Sequence, residues 1–176
     1  PRGMRPLNGV RVLDLTRILA GPIAARTLAE HGADVLMVTA KRLPQVQAYV
    51  ADTSHGKRSC FMDIKKDEGA KQLKKLVGES DIFSQGYRPG AMEKLGFGAE
   101  ELSEVRPGLI YLSINCYGFD GVFSDRGGWE QVAQIMTGLT TEDASMSQIR
   151  TPRLLPAAAN DYICLLYTSD AADELS

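Results

Sequence analysis

The chain has 176 residues, of which 44% are hydrophobic and 24% are charged, and this composition is typical of one soluble α/β domain. Its formal net charge of -2 provides no broad basic field, which argues against nucleic acid and against an anionic membrane surface as partners. The three cysteines and two histidines lack metal-ligand spacing, and no apolar run is long enough to span a membrane, so we expect no metal and a reducing, cytoplasmic location.

The first elements predicted along the chain form a strand–helix–strand unit. An aliphatic and β-branched run at 10–15 predicts a strand, residues 16–22 predict a turn, and residues 23–31 have helical apolar spacing. Gly32 suits the end of this helix, and the apolar run 34–39 is typical of a buried parallel strand. The unit is therefore βαβ.

The rest of the chain continues the alternation of strands and helices after a polar stretch at 41–57. We predict strands at 59–64, 81–84 and 109–114, and helices at 65–77, 91–95 and 102–105. This order predicts an α/β fold with a Rossmann-like, mostly parallel sheet flanked by helices. Right-handed crossovers would place the loops after the strands at one sheet edge, where open α/β sheets bind ligands.

Residues 19–22, Leu-Ala-Gly-Pro, form a loop of small residues at a helix start, where backbone N–H groups and the helix dipole can meet an anion. A tight strand-to-helix turn with Pro22 at the first helical position explains the same residues equally well. The loop lacks the G-x-G-x-x-G pattern that brings a dinucleotide pyrophosphate close to the backbone. A nicotinamide-dependent oxidoreductase is therefore disfavoured.

Several cations near predicted strand ends are open to more than one interpretation. Lys57 and Arg58 follow a glycine, and Lys65 follows a predicted strand, so each could contact a phosphate or remain on the solvated surface. Arg88, next to Tyr87, could grip a phosphate, stack on a flat ring or pair with a carboxylate. The residue chemistry alone does not choose among these roles.

Asp161 lies in a stretch of small residues, 156–162, that would let a substrate approach its carboxylate closely. The preceding residue is Asn160, and an Asn-Asp pair is also a common helix cap. From residue chemistry alone, capping is the better interpretation.

Several ordered motifs resemble one enzyme family. They lie at residues 6–22, 32–35, 56–59, 62–65, 87–96, 107–113 and 127–134. Together they resemble the class III CoA transferases, the carnitine-dehydratase-like and formyl-CoA transferase-like family, over residues 6–163. The resemblance implies an enzyme that moves coenzyme A from an acyl-CoA to a carboxylic acid acceptor.

The resemblance also implies roles for particular residues. Asp161 falls at the position of the family's catalytic aspartate, and Glu130 falls near the acyl site. The residues implied to contact CoA are Leu19, Ala20, Met62, Asp63, Ile64, Lys65, Tyr87, Arg88 and Lys94. In the implied mechanism the aspartate attacks the acyl-CoA thioester, the released CoA attacks the mixed anhydride, and the aspartyl-CoA thioester passes CoA to the acceptor.

The family further implies a larger molecule than this chain. Residues 1–163 would be the N-terminal part of the large domain of an interlocked homodimer, with coenzyme A as a substrate and no permanently bound cofactor. Residues 164–176 look like the in-frame translation of a sequencing adapter, and we interpret them as a non-native tail. Because the family's glycine-rich active-site loop would lie beyond residue 163, we expect this fragment to be inactive alone.

Departures from the family pattern leave two alternatives. Gly86 stands where Asn is frequent, and Ala40 follows the second strand where an acid is frequent, so the CoA pose is least defined there.

The family's α-methylacyl-CoA racemases use a histidine in the segment matched by 128–130, where this chain has Trp129; a racemase is therefore the weaker enzyme interpretation. The other alternative is a non-catalytic Rossmann-like binding module.

Overall fold

The computed structural model describes residues 5–41, 43, 46–140 and 152–170. The chain divides into two compact units, Pro1–Ile114 and Asn115–Ser176. The two units are described separately below.

The first unit contains one sheet of five strands. In chain order these are β1 Arg11–Leu15, β2 Asp34–Thr39, β3 Arg58–Phe61, β4 Ile82–Gln85 and β5 Ile110–Ser113. Their spatial order is β3-β2-β1-β4-β5, and every neighbouring pair is parallel. The predicted α/β fold with a parallel sheet is thereby confirmed. The carboxyl ends of all five strands lie at the same edge, as parallel pairing requires.

The helices follow the strands as crossovers. The first unit contains α1 Ala20–Glu30, α2 Gln47–Thr53, α3 Asp67–Gly78, a 3₁₀ turn at Glu93–Leu95 and α4 Ala99–Val105. The second unit contains α5 Glu130–Met136 and α6 Ala159–Asp170. Helix α2 falls within the polar stretch 41–57, for which the sequence predicts no helix. The predicted helix at 91–95 is shorter in the structure, a single 3₁₀ turn.

Side chains of the central strand β1 pack on both faces of the sheet. Leu13 and Leu15 point into a cluster with Phe83 and the apolar residues of α3, whereas Val12 packs with alanines of α1. The fully buried Leu73 and Val77 give α3 the apolar face that its helical spacing predicts. Because β1 is buried on both faces of the sheet, its sequence is an almost continuous apolar run.

Helix α1 begins very close to the end of β1. A Cβ atom added to Gly21 would lie 2.3 Å from the Cβ of Thr16, so no larger residue fits there without a shift. Ile18, in the connecting loop, has a φ of 71°, a left-handed conformation that is rare for a β-branched residue. The tight strand-to-helix turn considered for residues 19–22 is therefore present, but the helix begins at Ala20, so Pro22 is its third residue and not its first.

Candidate active site

A small cleft opens at the carboxyl edge of the sheet in the first unit. It is lined by Leu15, Val38, Thr39, Ala40, Leu43, Met62, Ile64 and Tyr87. Three of the nine residues predicted to contact CoA, namely Met62, Ile64 and Tyr87, are brought together by the ends of β3 and β4. The cleft lies where the parallel sheet predicts a ligand site.

Arg17 is a residue of this edge that sequence reasoning missed. Its guanidinium carbon lies 5.3 Å from the ring centroid of Tyr87, a cation–π distance. Arg17 also lines a second cleft with Ile18, Val46 and residues of α2. The available signal was its position, since a cation directly after the first strand of a parallel sheet falls at the ligand-binding edge.

The other residues predicted to contact CoA differ in exposure. Leu19 is only 1% exposed as a whole residue, so neither its backbone nor its side chain is open to a ligand. The Oδ1 atom of Asp63 accepts the N–H of Lys65 at 3.2 Å, which shapes the turn after β3. The side chains of Lys65, Arg88 and Lys94 are all exposed and therefore accessible to phosphate groups. Ala20 is half-buried as the first residue of α1.

Lys57 corrects both interpretations offered for it from the sequence. Its side chain is 1% exposed, and its Nζ lies 3.1 Å from Oδ2 of Asp14, whose side chain is 0% exposed. The same Nζ donates to the carbonyl of Pro22 at 2.8 Å. Burial lowers the pKa of Lys57, and the Asp14 carboxylate partly opposes that shift. Lys57 therefore neither lies on the solvated surface nor is free to bind a phosphate.

Asp14 is the acceptor at the centre of this buried cluster. Its Oδ1 accepts the N–H of Thr16 at 3.0 Å, the hydroxyl of Thr16 at 2.5 Å and the hydroxyl of Ser84 at 3.1 Å. Together with Lys57, these groups satisfy a carboxylate that would be very unfavourable alone in the core. The cluster ties the ends of β1 and β4 to the start of α1. Arg58, the neighbour of Lys57, instead makes an exposed pair with Asp34.

In the second unit, Asp161 lies in the first turn of α6. Its backbone N–H donates to Oε2 of Glu130 at 2.7 Å, and the N–H of Asn160 donates to Oε1 at 3.1 Å. The helix begins at Ala159, so the Asn-Asp pair is inside the helix, and the capping interpretation is wrong. The buried carboxylate of Glu130, from α5, accepts the free N–H groups of the helix start instead.

The same arrangement changes the acidity of the Asp161 side chain. Partial burial, and secondarily the negative charge of Glu130, raise the pKa of Asp161 to about 6 from an ordinary value of 3.8. At neutral pH roughly nine-tenths of this carboxyl is still ionised. Asp161 is thus an available carboxylate that is more basic than an ordinary aspartate, which favours attack on an electrophile.

The thiol of Cys116 is influenced by Asp161. Burial, and then the charge of Asp161, raise the pKa of the Cys116 thiol, so it stays protonated near neutral pH. Within the ranges that the structure describes, no group of three or more His, Cys, Asp or Glu residues is arranged to hold a metal ion. The carboxyl of Asp161 is the candidate reactive group of this unit.

Comparisons with known proteins agree with the parallel sheet and with the motifs that occupy its edge. The family model of CoA-transferase family III matches residues 7–172. The chain belongs to the CoA-transferase family III.

Several relatives are named as CoA transferases. The chain is 34% identical over 164 residues to an acetyl-coenzyme A transferase of Hypoxylon pulicicidum, covering 91% of this chain and 28% of that protein. It is 36% identical over 148 residues to the succinyl-CoA:glutarate CoA-transferase of Mus musculus, covering 77% of this chain and 34% of that protein. The chain therefore spans about a third of the length of these curated relatives.

A solved structure shows the same fold. A CAIB/BAIF family protein from Brucella suis superposes with a TM-score of 0.86 at 32% identity, covering 98% of this chain and 49% of that chain. The chain is thus similar to about half of a solved family member. None of the helices among the described residues is long and apolar enough to cross a membrane.

Proposed function

We propose that the full-length protein containing this chain is a CoA transferase that moves coenzyme A from an acyl-CoA to a carboxylic acid through a covalent intermediate on Asp161. The observation that carries the proposal is the environment of Asp161 in a family III chain. Its carboxyl is partly buried and has a pKa of about 6, and its backbone is held by Glu130. Such a carboxylate is ionised at neutral pH and needs no histidine base.

The proposed reaction exchanges one thioester for another without a net redox change. The Asp161 carboxylate attacks the thioester carbonyl, forming an acyl-aspartyl anhydride and releasing the CoA thiolate. The thiolate then attacks the aspartyl carbonyl, which releases the donor acid and leaves an aspartyl-CoA thioester. The acceptor carboxylate repeats these two steps in reverse, so that CoA leaves on the acceptor and Asp161 is regenerated. Backbone N–H groups would stabilise the oxyanion at each addition.

The edge of the sheet supplies groups suited to the nucleotide end of CoA. Tyr87, with Arg17 stacked on it, presents a flat cationic surface to which a purine ring could bind. Lys65, Arg88 and Lys94 are exposed cations that suit the phosphates. We propose, from the family resemblance, that Ala20 and Leu19 contact CoA; Leu19 is 1% exposed, so its contact requires a local shift at the start of α1.

Glu130 needs a more specific role than proximity to the acyl group. Its two carboxylate oxygens already accept the N–H groups of Asn160 and Asp161. We propose that Glu130 contributes to the acyl site chiefly by holding the backbone of the nucleophile. No permanently bound cofactor is required by this mechanism, since CoA is the group that is transferred.

The names of relatives suggest which acids to test first. Two curated relatives are a succinyl-CoA:glutarate CoA-transferase and a succinyl-CoA–L-malate CoA-transferase subunit, from mouse and Chloroflexus aurantiacus. We therefore propose dicarboxylic acids and their CoA thioesters as the first donor and acceptor set. A homodimer in the cytoplasm is proposed as the working state of the full-length protein.

A transfer assay tests this function. The intact gene would be recovered, and the full-length protein would be incubated with pairs of acyl-CoA donors and carboxylic acids while the CoA thioesters are followed by mass spectrometry. We expect stoichiometric formation of the acceptor's thioester and loss of turnover in Asp161→Ala. Hydrolysis without transfer, or transfer that survives Asp161→Ala, would contradict the proposal. Epimerisation of an α-methyl donor would instead indicate the racemase, and CoA binding without reaction would indicate a binding module.

A further inference from the structure

Gln134 is a buried polar residue of the second unit to which neither the motifs nor the proposed mechanism assign a role. It lies on α5, one helical turn after Glu130, and is 1% exposed. Its Nε2 donates to Oε1 of Glu130 at 2.8 Å and to the carbonyl of Ala157 at 3.0 Å. Its Oε1 accepts the N–H of Leu155 at 2.8 Å. One amide thus makes three hydrogen bonds in a site closed to water.

These bonds form a continuous connection to the nucleophile. Gln134 contacts Glu130, and Glu130 accepts the N–H of Asp161 at 2.7 Å. Gln134 also holds Leu155 and Ala157, which lie in the segment that leads into α6. The backbone on which Asp161 sits is therefore fixed to α5 by both Glu130 and Gln134.

Only an amide of this length meets the chemical requirements of the position. The site needs two N–H donors, for a carboxylate and a carbonyl, and one acceptor for a backbone N–H. A methionine would leave all three partners without their bonds, and a glutamate would place a second carboxylate against Glu130. A residue selected only to fill apolar space would not need this donor and acceptor pattern.

We propose that Gln134 is a positioning residue for the transferase reaction, which acts through Glu130 and the segment 155–157 to hold the Asp161 carboxylate in its attacking orientation. This inference rests on the proposed function, because it presumes that Asp161 is the nucleophile. It adds a residue that does not contact the substrate but determines how the nucleophile is presented. Small errors in such positioning cost large factors in rate.

The effect should appear in the chemical step. In Gln134→Met we expect the rate of formation of the Asp161 adduct, measured under saturating acyl-CoA, to fall by about tenfold or more, since buried hydrogen bonds to a charged group are lost. The KM for acyl-CoA should change much less, because the hydrogen bonds of Gln134 join it to Glu130, Leu155 and Ala157. Gln131→Met, an exposed glutamine on the same helix, is the matched control and should retain the wild-type rate.

The pH profile gives a second readout, which depends on the groups around Asp161. These are Glu130 from α5, Cys116 from the segment before it and Cys164 from α6 itself. Loss of the Gln134 donor leaves the negative charge of Glu130 less compensated, which makes the ionised form of Asp161 less favourable. The fall in the rate of adduct formation at acid pH should therefore begin at a higher pH than in the wild type. In Glu130→Gln the negative charge is removed and the fall should begin at a lower pH. A merely structural loss of folded enzyme would change neither pH.

The double variant Gln134→Met/Glu130→Gln tests whether the two residues act on Asp161 together or independently. Because Gln134 acts partly through Glu130, the rate loss of the double variant should be clearly smaller than the product of the two single losses. If the two losses multiply, or if Gln134→Met matches Gln131→Met in rate and pH profile, the inference is overturned. Should Gln134→Met fail to fold, Gln134→Glu keeps the size of the side chain and the acceptor for Leu155 and is compared in the same way. Absence of an adduct in the wild-type enzyme would refute the proposed function before any variant is compared.

Discussion

The carboxylate of Glu130 stabilises the backbone of Asp161 but disfavours a negative charge on the Asp161 side chain. Its N–H is stabilised by the carboxylate of Glu130, while its own carboxyl is destabilised as an anion by the same charge and by burial. The protein therefore holds the residue in place and also makes its charged form less favourable. This combination is typical of reactive sites, where stability is exchanged for function.

Asp161→Asn should stabilise the folded chain at neutral pH. The folded pKa of about 6 exceeds the ordinary value of 3.8, so the ionised carboxyl opposes folding above pH 6, and protonation relieves this as the pH falls toward 4. The asparagine variant should be more stable at pH 7.5 by about 1 kcal/mol, or roughly 2–4 °C, after discounting for partial solvent exposure. Thermal unfolding at pH 7.5 and pH 4 measures this. The gain should vanish at pH 4, and an equal gain at both pH values would be contrary evidence.

Lys57→Met should strongly destabilise the first unit. The variant leaves Asp14 buried without its counter-charge, which costs about 3–5 kcal/mol in other buried pairs. Asp14→Asn/Lys57→Met should recover much of this loss, since no uncompensated charge remains. The neighbouring Arg58→Met, which breaks an exposed pair, is the control and should cost under about 1 kcal/mol. Urea unfolding compares the four proteins; equal costs for Lys57→Met and Arg58→Met would show that the buried pair does not have this role.

Residue chemistry could predict only part of the candidate site. The burial of Lys57 depends on Asp14, which lies 43 positions earlier in the chain, and no local pattern connects the two. The role of Asp161 came from the family resemblance, because an Asn-Asp pair by itself suggests a helix cap. The structure removes that alternative, since Glu130 already accepts the N–H groups at the helix start.

At the level of elements, apolar runs bounded by glycine were the most predictable. Strand β2 has the predicted bounds, because Asp34–Thr39 is an apolar run that begins shortly after Gly32. Helix α2 was missed because residues 47–53 present one small buried contact, through Thr53, and no apolar face long enough to produce helical spacing. Short helices on the surface of a domain depend on their tertiary contacts more than on local sequence.

Gly69→Ala should test how closely α3 packs on the loop after β3. A Cβ at this position would lie 2.1 Å from the carbonyl oxygen of Asp63, and backbone cannot move aside as a flexible side chain can. We expect a loss of about 1–3 kcal/mol in urea unfolding, with weaker CoA binding by calorimetry because residues 62–65 shift. Gly78→Ala, at the other end of α3, is the control: its Cβ would meet only Val105 at 4.0 Å. That change should be neutral or stabilising, and a Gly69→Ala protein as stable as the control would show that the loop yields easily.

At the level of the whole molecule, the composition predicts one α/β domain; the α/β class is confirmed, while the chain divides into two compact units. The comparisons add that this chain corresponds to about half of a solved family member. Several apolar side chains of the second unit are exposed, among them Val122, Trp129 and Ile135.

The full-length protein is predicted to be a homodimer. Light scattering after size exclusion should give twice the mass of one chain at micromolar concentration, with no dependence on added CoA. A monomer under these conditions would contradict the interlocked arrangement that the resemblance implies.

Residues 164–176 are predicted to be a non-native tail, and sequencing the intact gene tests this. Independent DNA reads should diverge from the present sequence after codon 163, whereas identical coding sequence through 176 would make the tail native.

The most direct test of the whole account is to trap the intermediate on Asp161. The full-length protein would be mixed with an acyl-CoA in the absence of acceptor, digested, and examined by mass spectrometry for the peptide that contains Asp161. We predict an acyl or CoA adduct that hydroxylamine removes and that Asp161→Ala abolishes, while Asp120→Asn, at an exposed position, retains it. A folded enzyme that transfers CoA without any adduct on this peptide would contradict the central claim that Asp161 is the nucleophile.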